Sequence, residues 1–157
     1  MTPPEKREEM MQMLAASEEA VGRLYDAYAG RFPEHEEFWL GLAMEEADHA
    51  NTVFDLMRKV KDGSASFFES RLSVEKVQEL QGHLGRQLAR VKKEKISFAD
   101  ALSVAVDIEK SLSEHKYYWF FSGASEEVQE LLDYLDSATQ NHIKVLEREV
   151  ERWGRGK

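Results

Sequence analysis

The sequence contains no cysteine. Disulfides, thiolate zinc sites, cysteine-held iron–sulfur clusters, rubredoxin-type iron and thiol nucleophiles are excluded together. Proline is scarce as well, at three residues in 157, which suits long helices. No apolar run approaches the roughly 20 residues of a membrane span. Residues 1–9 have no apolar stretch of the kind a secretory leader requires, so a cytoplasmic location is the default expectation. Positive charge is also in deficit. With 21 Lys and Arg against 30 Asp and Glu, the net charge is −9, which argues against nucleic acid or an anionic membrane as partner. A negative sum is also the ordinary way for a protein to stay soluble.

What is present reads as helix. Hydrophobic residues make up 42% of the chain and charged residues 32%, a balance that fits a single all-α domain over residues 1–157. Thr2-Pro3-Pro4-Glu5 is a capped helix start, and the spacing predicts helices over about 4–30, 34–61, 98–121 and 126–153. A long crossover, about 62–97, separates the second from the third. It carries a shorter amphipathic helix near 74–92, weakened by Gly82 and Gly85 at about 1 kcal/mol each. Phe67 and Phe68 ahead of it are expected to anchor the connection, and no alternating strand pattern is visible.

Within the second helix, steps of three and four give Trp39, Leu42, Glu46, His49, Val53, Leu56 and Val60. Glu46 and His49 interrupt an otherwise apolar face. A buried, unpaired carboxylate costs several kcal/mol, so the face calls for a compensating cation, and a metal ion is one that Glu and His three apart could share. One such pair is expected by chance; the other helices make it informative. The first carries Leu14, Glu18, Val21, Tyr25 and Tyr28, and the fourth carries Val128, Leu131, Leu135, Thr139, His142, Val145 and Glu149. The third fits two faces equally well, one with Leu102, Ala105, Glu109, Leu112, Lys116 and Trp119, the other with Ala101, Ile108 and His115. Two helical hairpins therefore present similar groups at similar depths. The candidate metal set is Glu18, Glu46, His49, Glu109 and His142.

Such a set, with Glu-x-x-His contributions, is the arrangement of ferritin-like di-iron and di-manganese bundles. The resemblance extends further. Glu18-Glu19-Ala20-Val21-Gly22-Arg23-Leu24-Tyr25, Glu46-Ala47-Asp48-His49-Ala50 and Ile96-Ser97-Phe98-Ala99-Asp100-Ala101-Leu102 resemble helices of the rubrerythrin branch of that superfamily. The resemblance implies a ferritin-like four-helix bundle, Glu18 and Glu109 as single-Glu ligands, Glu46 and His49 as one Glu-x-x-His, and His142 as the surviving half of the other. It implies iron, in one or two ions, with manganese or zinc as alternatives, and oxidation of Fe(II) by oxygen or peroxide. Without cysteine, any turnover needs a separate electron donor. A homodimer is compatible with it.

Two departures count against a full di-metal site. Thr139 stands where the second motif has Glu, and Lys116 stands seven residues after Glu109 where Tyr25 follows Glu18. Asp136 or His115 could substitute as ligands. The rival reading is a catalytically degenerate bundle that serves as a structural or partner-binding module. His35 and His83 are expected to be exposed, Glu19 and Glu45 solvated, and Tyr25, Tyr28, Tyr117 and Trp119 to lie in the core.

Overall fold

The computed structural model of the chain describes residues 1–112 and 116–154. The described residues are mostly helical, as α1 (Pro3–Arg31), α2 (Glu36–Lys61), α3 (Val74–Lys93), α4 (Phe98–Leu112), α5 (Lys116–Phe120) and α6 (Glu126–Glu149), the last passing into a π-helical turn at Val150–Gly154. The class is all-α. No helix among the described residues is long and apolar enough to cross a membrane.

The helix starts lie where side chains can take over orphaned backbone amides. Thr2 and Glu5 exchange reciprocal bonds at α1, and Ser97 and Asp100 do the same at α4. Ser73 accepts from the Lys76 amide at α3, and Ser125 from the Val128 amide at α6. Pro33 opens a 3-10 turn, Pro33–His35, before α2 begins at Glu36.

Helices α1 and α2 pack along each other, with Tyr28 against Trp39 at one level and Gly22 against Glu46 at another. That order of contacts makes them antiparallel. Helix α6 packs on α2, α4 and α5, and α3 lies on α1. The apolar core forms two clusters. One gathers Met11, Leu14, Val53, Leu56, Phe121 and Leu135, and the other gathers Val21, Tyr25, Trp39, Leu102, Ile108 and Leu146. Along α1, α2 and α6 a polar layer separates them.

Several expectations need correction. The two alternative faces of the third helix are both buried, since Ala101, Leu102, Ala105, Ile108, Glu109 and Leu112 all face the interior. On α6, Leu132 and Leu146 are buried in place of Leu131 and Val145, because a 3.6-residue turn drifts from a fixed seven-residue step. The third helix was expected to run to about 121, but α5 ends at Phe120. Phe121 and Ser122 form β2, which pairs antiparallel with β1 (Ser66–Phe67) in the register Ser66 with Ser122 and Phe67 with Phe121. A two-residue strand leaves no alternation for a sequence to display. Trp119, placed in the core by the continuous pattern, is 55% exposed, whereas Tyr117 and Phe120 are buried. The phase of α5 is thus displaced by one residue from a straight continuation of α4. His115 lies outside the described residues.

The β pair brings two loops close together at Gly123. A Cβ there would lie 2.8 Å from the Ser64 carbonyl oxygen and 2.9 Å from Val128 Cγ1. The former is backbone and cannot swing aside. Gly123→Ala is expected to cost about 1–3 kcal/mol, read as a lower urea midpoint with an unchanged slope.

Candidate metal centre

The polar layer is built from four helices. Glu18 comes from α1, Glu46 and His49 from α2, Glu109 from α4, and Thr139 and His142 from α6, and all six are buried. Every residue of the sequence-derived set therefore points inward. Glu46 and His49 share a face because they lie three apart on α2, with His49 Nδ1 at 3.3 Å from Glu46 Oε2. The same nitrogen lies 3.8 Å from Glu18 Oε2. Across the layer, His142 Nδ1 is hydrogen-bonded with Glu46 Oε1 at 3.1 Å and lies 3.5 Å from Glu109 Oε1. The five residues form one connected cluster.

Two tyrosines hold the outer edges. Tyr25 donates to Glu109 Oε2 at 2.6 Å, and Tyr117 donates to Glu18 Oε1 at 2.5 Å. Each bond occupies one carboxylate oxygen and leaves the other turned towards a histidine. Burial, then the neighbouring carboxylates, pushes both phenols well above their usual range, so they remain donors. Tyr25 and Tyr117 were expected as core aromatics; they are that, and they also fix two of the acidic groups. Tyr117 was not legible as the partner of Glu18 because the displaced phase of α5 puts it where a continuous helix would put Lys116. Lys116 is half-buried instead. Desolvation lowers its pKa against the opposing pull of Glu18, Glu46 and Glu109.

Glu45 is the other residue the sequence concealed. It was expected to be solvated, and its side chain is indeed 49% exposed, yet its carboxylate meets His142 Nε2. Nothing in the helical spacing of α2 signals this reach. Glu19 is exposed, as expected. His35 and His83 are half-buried rather than exposed. His35 stacks on Phe98 with ring centroids 3.7 Å apart, far from the layer in role.

Thr139 is buried in the layer, but its hydroxyl donates to the Leu135 carbonyl one turn earlier at 2.9 Å. That back-bond engages its only proton within α6. Asp136 is half-buried, one turn away.

Burial and like charge set the protonation of the metal-free cluster. Burial first, then the charges of Glu109 and Glu18, pushes Glu46 well above the carboxylate range. Burial would raise Glu18 too, but contacts with His49 and Glu46 and the field of Lys116 outweigh it and hold that carboxyl low. Desolvation would lower His142, but Glu109 and Glu46 overcome this and push it up to about 10. With carboxylates on both ring nitrogens, His142 is an imidazolium in the metal-free state.

The sign of the pH dependence follows. A histidine raised on folding stabilises fully below its unfolded value of 6.5 and loses that contribution as pH climbs through about 10. Glu46, also raised, acts in the same direction, Lys116, lowered by burial, opposes them, and Glu18, lowered, weakens the fold only as pH falls below 4.5. Metal-free protein is expected to melt at a higher temperature at pH 6 than at pH 9, measured by calorimetry in the presence of chelator.

Among the described residues two atoms in the layer lack hydrogen-bond partners, Glu46 Oε2 and His49 Nε2. Buried polar atoms rarely go unsatisfied. Both belong to residues whose ligand atoms, together with one from His142, lie within 4.8 Å of one another. An ion about 2.0–2.2 Å from each would need only small side-chain shifts. Carboxylate and imidazole donors together suit iron, manganese or zinc. No family model, curated protein or solved structure matches this chain.

Proposed function

We propose that this chain is a ferritin-like four-helix bundle of the rubrerythrin type that binds iron, or manganese or zinc in its place, and supports oxidation of Fe(II) by oxygen or peroxide. The observation that carries this reading is the convergence of Glu18, Glu46, His49, Glu109 and His142 from four helices, with Glu46 Oε2 and His49 Nε2 buried and without a hydrogen-bond partner among the described residues. In this reading α1, α2, α6 and α4 with α5 are the bundle helices, and α3 belongs to the crossover.

Glu18, Glu46 and Glu109 would supply the negative charge that holds a cation, and His49 and His142 neutral nitrogen. Iron bound there would supply one-electron chemistry towards the oxidant. The chain's own groups do the rest. Tyr25 and Tyr117 keep Glu109 and Glu18 oriented through their outer oxygens. Glu45 keeps the proton on His142 Nε2, so that Nδ1 is the nitrogen available inward. To bind, Nδ1 and Glu46 must each release a proton, so metal uptake acidifies the medium. The two apolar clusters exclude bulk water from the layer. Repeated turnover would draw its electrons from further Fe(II) or, if the same iron is to be reduced again, from a separate donor.

One observation favours the rival, a structural or partner-binding module. His142 as an imidazolium, with Lys116 nearby, already balances much of the acidic charge without any metal. Elemental analysis and a visible spectrum of protein purified without chelator separate the two. Stoichiometric iron or manganese, and Fe(II) oxidation on adding oxygen or peroxide, supports the metal reading. Protein that takes up neither Fe(II) nor Mn(II) under argon supports the rival.

A further inference from the structure

A cleft between α1, α3 and the α4–α5 region departs from the chain's acidic character. Its volume is about 510 Å³, within the size range of small-molecule sites. Among the described residues that line it, Arg71, Lys76 and Lys116 carry positive charge and none carries negative charge. In a protein of net charge −9, three cations around one cleft with no carboxylate among its described lining residues mark a locally inverted field. Among the described residues Lys76 has no ion-pair partner within the salt-bridge distance, and Arg71 is engaged by the Trp119 carbonyl and by the rings of Phe68 and Trp119.

Apart from Ser73 and Ser111, the rest of the described lining is apolar. Leu14 and Leu112 form part of the floor, and Trp119, otherwise an unexplained exposed aromatic, stands at the rim. A free inorganic anion would gain nothing from that floor. An apolar molecule without charge would offer no counter-charge to Lys76 or to the Arg71 and Lys116 groups beside it.

We infer that this cleft binds a small organic anion: an aromatic or aliphatic body carrying one acidic group, the body on Val77, Leu80 and Trp119, the acid among Arg71, Lys76 and Lys116. Burial of the body provides affinity in proportion to apolar area, and the cations select for the acid. Leu14 lies one helical turn before Glu18, and Leu112 one turn after Glu109. A bound ligand therefore sits within about a turn of the carboxylate layer, on the side where Lys116 faces it. The inference does not depend on whether that layer holds a metal.

The probe is 1-anilinonaphthalene-8-sulfonate, compared with N-phenyl-1-naphthylamine, which has the same body and no acid. Both report by fluorescence, and near-ultraviolet dichroism checks that the protein remains packed. The sulfonate is expected to saturate at a single site and to bind more tightly than the neutral amine. Lys76→Glu, on the exposed face of α3, should weaken the sulfonate about tenfold, and Arg71→Ala about fivefold, with little change for the amine. Lys92→Glu makes the same charge change on α3 outside the cleft and should leave both unchanged. Equal affinity for the two probes, or equal effects of Lys76→Glu and Lys92→Glu on the sulfonate, would overturn the inference.

Discussion

His49→Ala is expected to abolish tight metal binding. The imidazole has one nitrogen turned towards Glu18 and Glu46 and the other without a hydrogen-bond partner among the described residues, so its removal deletes a ligand and leaves His142 as the one described imidazole in the layer. Groups that merely orient a ligand are worth roughly 10- to 100-fold in metal affinity, and loss of a ligand itself should exceed that. Saturating Fe(II) or Mn(II) under argon is expected to raise the melting temperature of the wild type by about 5–10 °C, through ligand linkage at roughly 100 times the dissociation constant. The His49→Ala protein should show almost no shift. His83→Ala and His35→Ala should retain the full shift, although loss of the His35–Phe98 stack lowers the starting temperature of the latter. Similar behaviour of all three variants would place the metal elsewhere.

Thr139→Glu carries the second large effect. Thr139 lies in the layer one turn before His142, but its hydroxyl is committed to the Leu135 carbonyl. It supplies neither charge nor a strong bond to a cation. Glutamate at this position would complete a second Glu-x-x-His with His142. The wild type is therefore expected to hold a single tight ion, led by Glu18, Glu46 and His49, and the variant to approach two. Oxidation of Fe(II) should accelerate accordingly. Without metal the variant adds another carboxylate to a crowded layer, so it should be less stable than the wild type in chelator and more stable when loaded. A wild type that already binds two ions as tightly as the variant would assign the missing ligand to Asp136 or His115.

The amphipathic stripes of α1 and α2 were legible because each holds one phase from cap to cap. Leu14, Glu18, Val21, Tyr25 and Tyr28 are all buried, as are Trp39 through Leu56 on the second stripe. Those phases alone placed Glu18, Glu46 and His49 in one layer, and the repeat between the two halves of the chain added Glu109 and His142. What escaped depended on tertiary arrangement. The one-residue displacement of α5 exchanged Tyr117 for Lys116 and Phe120 for Trp119, and no local propensity encodes it. Glu45 reaches His142 only because α6 passes α2 at that level. The β pair is too short to leave a pattern and follows from the meeting of two distant loops.

That β pair has a kinetic consequence. Glu18, Glu46 and His49 lie within the α1–α2 hairpin, whereas Glu109 and His142 lie in α4 and α6. Contacts inside either half are short in sequence, but Phe67 with Phe121 and Phe68 with Phe120 join segments far apart in the chain. Distant pairings of this kind form slowly because ring closure precedes any gain from them. The nascent chain would thus carry two incomplete sets of ligands until the latch closes, and an ion captured before closure would meet only the α1–α2 set. Refolding with metal present should proceed through a transient, weakly loaded species before the tight one appears.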